Sequence, residues 1–322
     1  MVWKKSPVSA QEIRRLHEQY GLDVLSASIL VRRGQTSSEQ VKFFLEQELT
    51  YLHNPFLFDD MEEVVDRINE AVSEGENVCV IGDRDVDGIT STALLVQELR
   101  DMGLSVTYQL PEGDDPYGMT IKGVEKAHED KVTLIITVDC GISNFAEIAH
   151  AHSLGIDTIV LDHHISGDTL PPALAIIDPK MPGSGYPFEH LAGCGVAAKV
   201  IWALRFSKTD FYREECILLH AQPGHDTIII QAMRIQNLLV IDRVIEEVNP
   251  GLLSPSQSKA LSFLSCGLPI LVLDAQAELV QLKQAFGKKI DIHLVEMRPQ
   301  MEAVMPVMKN KGLFAQIGRA HV

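Results

Sequence analysis

Apolar side chains recur at Met61, Val64, Val65, Ile68 and Val72, the i, i+3, i+4, i+7, i+11 spacing of one helix face, with charges on the opposite side. Upstream, SAQEIRRLHEQYG (9–21) reads as a capped helix. Ser9 stands at the N-cap, Glu12 follows three residues later and Gly21 marks the end. LHNPFLFDD (52–60) then breaks the pattern, so residues 1–58 read as a helical and irregular N-terminal segment. From residue 77 the periods alternate. NVCVIGD, SVTYQLP, VTLIITVDCG and IDTIVLDHH read as strands, and ITSTALLVQELRDMG, TIKGVEKAHED and NFAEIAHAHSLG as helices between them. This alternation predicts an α/β domain over 59–205, with a doubly wound, mostly parallel sheet. Ligands of such sheets sit at the carboxyl ends of the strands.

After residue 206 the chain turns strand-rich, in CILLHA, TIIIQAMRI and LLVIDRVIEEV. A turn at NPG, a Ser/Gln-rich helix, LPILVLD, another helix and KIDIHLVEM follow. This predicts a second, inserted α/β unit over 206–316. A length of 322 residues accommodates about two domains. The sequence contains neither a membrane-length apolar run nor a signal-peptide pattern at its start. Five cysteines without a CxxC pair read as reduced thiols of a cytoplasmic protein. The net charge of −16 opposes general binding to a phosphate backbone. A cation site would absorb a few of these charges, and the main basic surface for nucleic acid is expected outside this chain.

Three clusters carry candidate chemistry. Asp83, Asp85 and Asp87 alternate in a turn that closes on Gly88, and such carboxylates can converge on one hard cation. A solvated acidic loop is the plain alternative. A calcium loop of the EF-hand type is excluded, because its twelfth position would be Leu94. Asp139 ends an apolar strand, where an uncompensated charge is costly. It would otherwise cap the following helix, a place Ser143 or Asn144 fills better. Asp162, His163 and His164 end the next strand, and adjacent histidines are expected to face different sides. Together the clusters place oxygen and imidazole donors at successive strand ends, the pattern of a two-metal phosphoester hydrolase.

DRDVDGITSTAL, VDCG, LDHH and LAGCGVAAKV, in this order, resemble the motifs of the DHH phosphoesterase family. NPFLFDDMEEVVDRINEAV and YPFEHLAGCGVAAKV are similar to the corresponding segments of the family's RecJ-type exonucleases, and the resemblance covers about residues 20–205. It implies Asp85, Asp87, Asp139 and His163 as metal ligands, and Asp83 as support for them. His164 would contact the scissile phosphate or position the attacking water. The implied cofactor is Mn²⁺ or Mg²⁺, and the implied reaction releases mononucleotides from the 5′ end of single-stranded DNA. Gly193 and Gly195 would let backbone approach the phosphate or an adjacent strand, or simply allow tight helix–sheet packing.

The pattern also departs from the family. No basic residue lies between Tyr108 and Met119, where the family often has one. No good copy of a fourth metal motif follows, so that ligand is expected from Asp242 or from a missing C-terminal part. The insert resembles a 3′–5′ proofreading exonuclease fold in which His220 and Gln222 replace the two carboxylates, implying a catalytically dead unit. The last residues, IGRAHV (317–322), read as a non-native tail on a truncated reading frame. Two other functions fit the same motifs: a phosphodiesterase of short oligonucleotides or cyclic dinucleotides, and a non-catalytic repair or replication scaffold.

Overall fold

The computed structural model describes residues 7–45, 52–250, 257–287 and 290–299. The proposed tail at 317–322 and the end of the insert lie outside them. The chain divides into two compact units, residues 1–53 and 54–322. In the first, α1 (Ala10–Tyr20), α2 (Val24–Arg32) and α3 (Ser38–Leu45) close around Leu16, Ala27, Leu30 and Val41. Ser9 accepts the Glu12 amide and Gly21 ends α1 in the left-handed region, as the capping pattern predicts. Asp23 caps α2 in the same way, through Leu25 and Ser26.

The second unit opens with α4 (Met61–Glu74), followed by β1 (Asn77–Ile81), α5 (Val86–Asp101), β2 (Ser105–Gln109) and α6 (Ile121–Glu129). Next come β3 (Val132–Val138), α7 (Phe145–Ser153), β4 (Asp157–Leu161), β5 (Ala175–Ile177) and α8 (Gly193–Phe206). The five strands pair in the order β2-β1-β3-β4-β5, and every pair is parallel. Alternation along the strands builds two apolar layers. Val78, Val80, Leu134 and Ile136 face α4, α5 and α8, whereas Cys79, Ile81, Ile135 and Val160 face α6 and α7. Arg67 of α4 is buried and bonds Asp157 at 2.7 Å and Glu76 at 2.8 Å, tying that helix to the amino ends of β4 and β1.

Three details differ from the sequence pattern. Helix α5 starts at Val86 rather than Ile89, because Asp85 caps it by accepting the Gly88 amide at 2.9 Å. Gly88 therefore lies inside the first helical turn. A Cβ there would meet the Asp83 carbonyl oxygen at 2.5 Å, so close packing, not turn geometry, requires glycine. Strand β5 has only three residues, and α8 is apolar on most faces, so neither carries a clear period.

Residues beyond α8 form a second five-stranded sheet from β6 (Cys216–Pro223), β7 (Ile228–Gln236), β8 (Leu239–Val248), β9 (Ile270–Val272) and β10 (Leu294–Glu296). Its order is β10-β9-β6-β7-β8: an antiparallel meander of β6, β7 and β8, with β9 and β10 added in parallel. Helices α9 (Lys259–Leu264) and α10 (Ala275–Phe286) pack on it. At the β7–β8 turn Asn237 and Leu238 both have positive φ, 47° and 63°. The Asn237 side chain donates to Glu62 of α4 and accepts the Arg213 amide at 2.7 Å, while its carbonyl accepts from Asn54 at 3.0 Å.

Asp178, just past β5, is fully buried. One carboxylate oxygen accepts the Lys180 amide at 2.8 Å, and the other has no hydrogen-bond partner. Burial pushes its pKa up to about 6. The folded chain thus holds this proton more tightly than the unfolded chain. The charge costs nothing at low pH, costs more as pH climbs from the ordinary carboxylate range, and costs its full amount above about 6. Asp178→Asn keeps the acceptor and removes the charge. It should leave stability near pH 4 unchanged and raise it by on the order of 2–3 kcal/mol at pH 7–8, read by urea melts at both pH values. A variant destabilised at pH 8 would contradict this.

Candidate metal centre

Three neighbouring strands, β1, β3 and β4, deliver the polar residues to one sheet edge. Asp83 follows β1 and is buried; Asp85 and Asp87 begin α5. Asp139 follows β3 directly, is 2% exposed, and has φ of +58°. That left-handed conformation is unfavourable for a residue with a side chain. Hydrogen bonds hold it: the Asp139 amide donates to Leu161 at 2.9 Å, and the Tyr117 hydroxyl donates to its carbonyl at 2.8 Å. Gly141 continues the turn at φ +113°, where a Cβ would fall 2.2 Å from Thr137 Oγ1.

His163 Nε2 lies 2.9 Å from Asp139 Oδ1 and 3.5 Å from Asp87 Oδ2. The shorter contact has no hydrogen-bond alignment: Asp139 Oδ1, like Asp83 Oδ1, lacks a hydrogen-bond partner although both are buried. Burial, reinforced by the His164 and Lys180 charges, lowers the pKa of His163 and favours the neutral ring. An imidazole nitrogen and a carboxylate oxygen thus face one another at close range without an aligned hydrogen bond. Donor atoms of Asp83, Asp85 and Asp139 lie within 4.8 Å of one another, as do those of Asp139, His163 and His164. Asp139 belongs to both groups. Its pKa is pushed up to about 7 by burial and by the charges of Asp87 and Asp85. This hard-oxygen and imidazole set, with two buried oxygens left unbonded, fits Mn²⁺ or Mg²⁺.

Two backbone amides hold the Asp87 carboxylate. It accepts the Gly193 amide at 2.7 Å and the Cys194 amide at 2.8 Å, both at the start of α8. Burial acts to raise its pKa, but these amides outweigh burial and lower it. A Cβ on Gly193 would meet the Asp139 side chain at 2.8 Å. The close approach expected at Gly193 is thus made to the Asp87 and Asp139 carboxylates, and its amide is already committed. Gly195 sits apart from them: a Cβ there would meet only the Leu191 side chain, at 3.3 Å.

Asp162 had no assigned role in the sequence pattern. It accepts four bonds: from the amides of Ile142, His163 and His164, and from His164 Nδ1 at 2.7 Å. It thereby orients the His164 ring and fixes the backbone that carries His163. His163 turns to Asp139 and His164 to Asp162 and Tyr117, so the two rings do take different partners. Tyr117 has no signature in sequence either, being a single aromatic residue in a polar loop. The loop's cation comes from elsewhere: Arg84 donates to the carbonyls of Gly113 and Asp115. Asn144 stands before α7 but does not cap it; its side chain instead accepts from and donates to the Met119 backbone.

Asp242 lies on β8, paired with Arg234 at 3.7 Å, and belongs to neither donor group. On β6, His220 bonds Glu278 of α10 at 2.9 Å, and no third metal-capable group joins them among the described residues.

Residues 77–221 match the model of the DHH family, N-terminal domain. The chain is 38% identical over 205 residues to the single-stranded-DNA-specific exonuclease RecJ of Bacillus subtilis, covering 63% of this chain and 26% of the relative. It is 43% identical over 184 residues to the RecJ of Escherichia coli, covering 56% of this chain and 30% of that one. Among solved structures, Thermus thermophilus RecJ in complex with Mn²⁺ matches with TM-score 0.48 and 29% identity, over 63% of this chain and 28% of that one. The chain thus spans less than a third of the length of these relatives. Converging strand-end donors and matching sequence point the same way: residues 77–221 are similar to the N-terminal domain of the DHH family, and the chain as a whole is similar to the RecJ exonucleases over at most 63% of its length.

Proposed function

We propose that this chain is the metal-binding part of a divalent-cation-dependent phosphodiesterase, a 5′ to 3′ exonuclease for single-stranded DNA that serves repair or recombination in the cytoplasm. One observation carries the reading: an imidazole nitrogen and a buried carboxylate oxygen face each other at 2.9 Å without an aligned hydrogen bond. Such an arrangement is costly unless a cation lies between the donors. The relatives' description as single-stranded-DNA-specific exonucleases supports the choice of substrate.

Asp85, Asp87, Asp139 and His163 would hold the cations, with Asp83 completing the acidic wall. Bound Mn²⁺ or Mg²⁺ supplies Lewis acidity and acidifies a water molecule. The protein's own contribution is orientation and proton handling. Asp162 holds Nδ1 of His164, which leaves Nε2 to meet a phosphate oxygen or carry a proton at the leaving group. The α8 amides fix Asp87, so this carboxylate does not reorganise when charge builds up. Lys180, on the turn after β5, brings positive charge near His163 and would face the incoming phosphate backbone. Gly193 would serve the substrate indirectly, by seating the carboxylates.

Release of mononucleotides from 5′-tailed single strands with Mn²⁺ tests the activity. Preference for dinucleotides over long strands would instead favour an oligonucleotide phosphodiesterase. Absence of divalent-metal binding would favour a scaffold.

Calorimetric Mn²⁺ titration should show at least a tenfold loss of affinity in Asp139→Asn and His163→Ala; wild-type affinity in both would remove the basis for the site. Gly193→Ala should lower Mn²⁺ affinity by roughly 10- to 100-fold, the range for residues that orient metal ligands, while the fold persists by circular dichroism. Unchanged affinity would show that the Asp139 side chain yields without cost. In Lys180→Gln, the slope of log affinity for single-stranded DNA against log salt should shrink by about 0.7, the value for one phosphate contact. An unaltered slope would mean that Lys180 does not touch the backbone.

A further inference from the structure

Tyr117 is 52% exposed, although its hydroxyl reaches a residue that is only 2% exposed. That hydroxyl is committed: it donates to the Asp139 carbonyl at 2.8 Å and lies 3.4 Å from His164 Nδ1. The ring stands edge-on to His164, with centroids 6.1 Å apart and planes at 88°. The backbone beside it is fixed as well. Gly118 has φ of +72°, and a Cβ there would strike the Asn144 Oδ1 at 2.8 Å. Asn144 in turn bonds both the amide and the carbonyl of Met119. Arg84, between two site carboxylates in sequence, grips the same loop at Gly113 and Asp115.

An aromatic ring pinned at its tip and its stem, with much of its surface open to solvent, has lost its conformational freedom before any partner arrives. Such a ring pays little ordering entropy on stacking. Nucleobases stack on exposed aromatic side chains irrespective of sequence. We propose that Tyr117 is a preorganised stacking platform for the nucleobase of the nucleotide whose phosphate enters the Asp139–His163 cluster. This rests on the phosphodiesterase reading and extends it from phosphate to base. Because the hydroxyl holds Asp139 and the ring holds the base, one side chain sets both the carboxylate and the nucleotide beside it.

The test measures binding of the full chain, with Ca²⁺ in place of Mn²⁺, to two fluorescent probes. One is 5′-phosphorylated dT8; the other is the same strand with an abasic first nucleotide. On intact dT8, Tyr117→Leu should weaken binding by roughly 5- to 150-fold, the cost of one lost stack. Tyr117→Phe keeps the ring and loses only the hydroxyl, so on intact dT8 it should bind at least about fivefold more tightly than Tyr117→Leu. On the abasic strand, where no base can stack, Tyr117→Leu should bind like Tyr117→Phe, since both lack the hydroxyl. An equal loss on both strands would overturn the proposal, because it would show that Tyr117 acts only through Asp139. So would undiminished binding of intact dT8 by Tyr117→Leu. If wild type binds neither strand, the exonuclease reading fails and takes this proposal with it; if wild type binds both equally, only the stacking proposal fails.

Discussion

Asp139 ends an apolar strand, almost wholly removed from water, with one oxygen 2.9 Å from a neutral imidazole nitrogen and other carboxylates beside it. Such a group is unstable as a bare anion, and its pKa rises to about 7 for that reason. The neighbourhood makes sense as a device for holding this charge in place until a cation shares it. The left-handed backbone at Asp139 is held by Tyr117 and by the β4 carbonyl of Leu161. Gly141 and Gly193 are glycines because a Cβ at either position would intrude on this turn or on its carboxylate. Asp162 spends all its bonding capacity on the two histidines and the backbone around them.

The parallel sheet supplies the convergence. Strands β1, β3 and β4 are direct neighbours, so residues just past their carboxyl ends meet without long loops. Helix α8 then closes the site from the side, and its first amides neutralise part of the Asp87 charge. Acidic side chains scattered over some eighty residues become one donor set through topology alone, before any tuning by hydrogen bonds.

The strand-helix alternation and the three clusters were legible because each carries a strong local signal: apolar runs of strand length, then charges where a strand should stop. Helix α8 and strand β5 were not, since an all-round apolar helix and a three-residue strand have no period to detect. Asp162 was visible as a residue but not as a hub, because its partners come from its own turn and from the loop after β3. Tyr117 carries no distinctive pattern, and Gly193 stood out through its LAGCG motif but not through its contact with Asp87; these contacts cross 22 and 106 residues of sequence. The second sheet shows the same limit. Its strands follow the sequence pattern, yet Glu278, which bonds His220, arrives from a helix fifty-eight residues away.

Anomalous diffraction from crystals soaked in Mn²⁺ tests the shared-cation arrangement most directly. Two peaks are expected, both within coordination distance of Asp139, one flanked by Asp83 and Asp85 and the other by His163. No peak at Asp139, or manganese bound only at surface carboxylates, would contradict it.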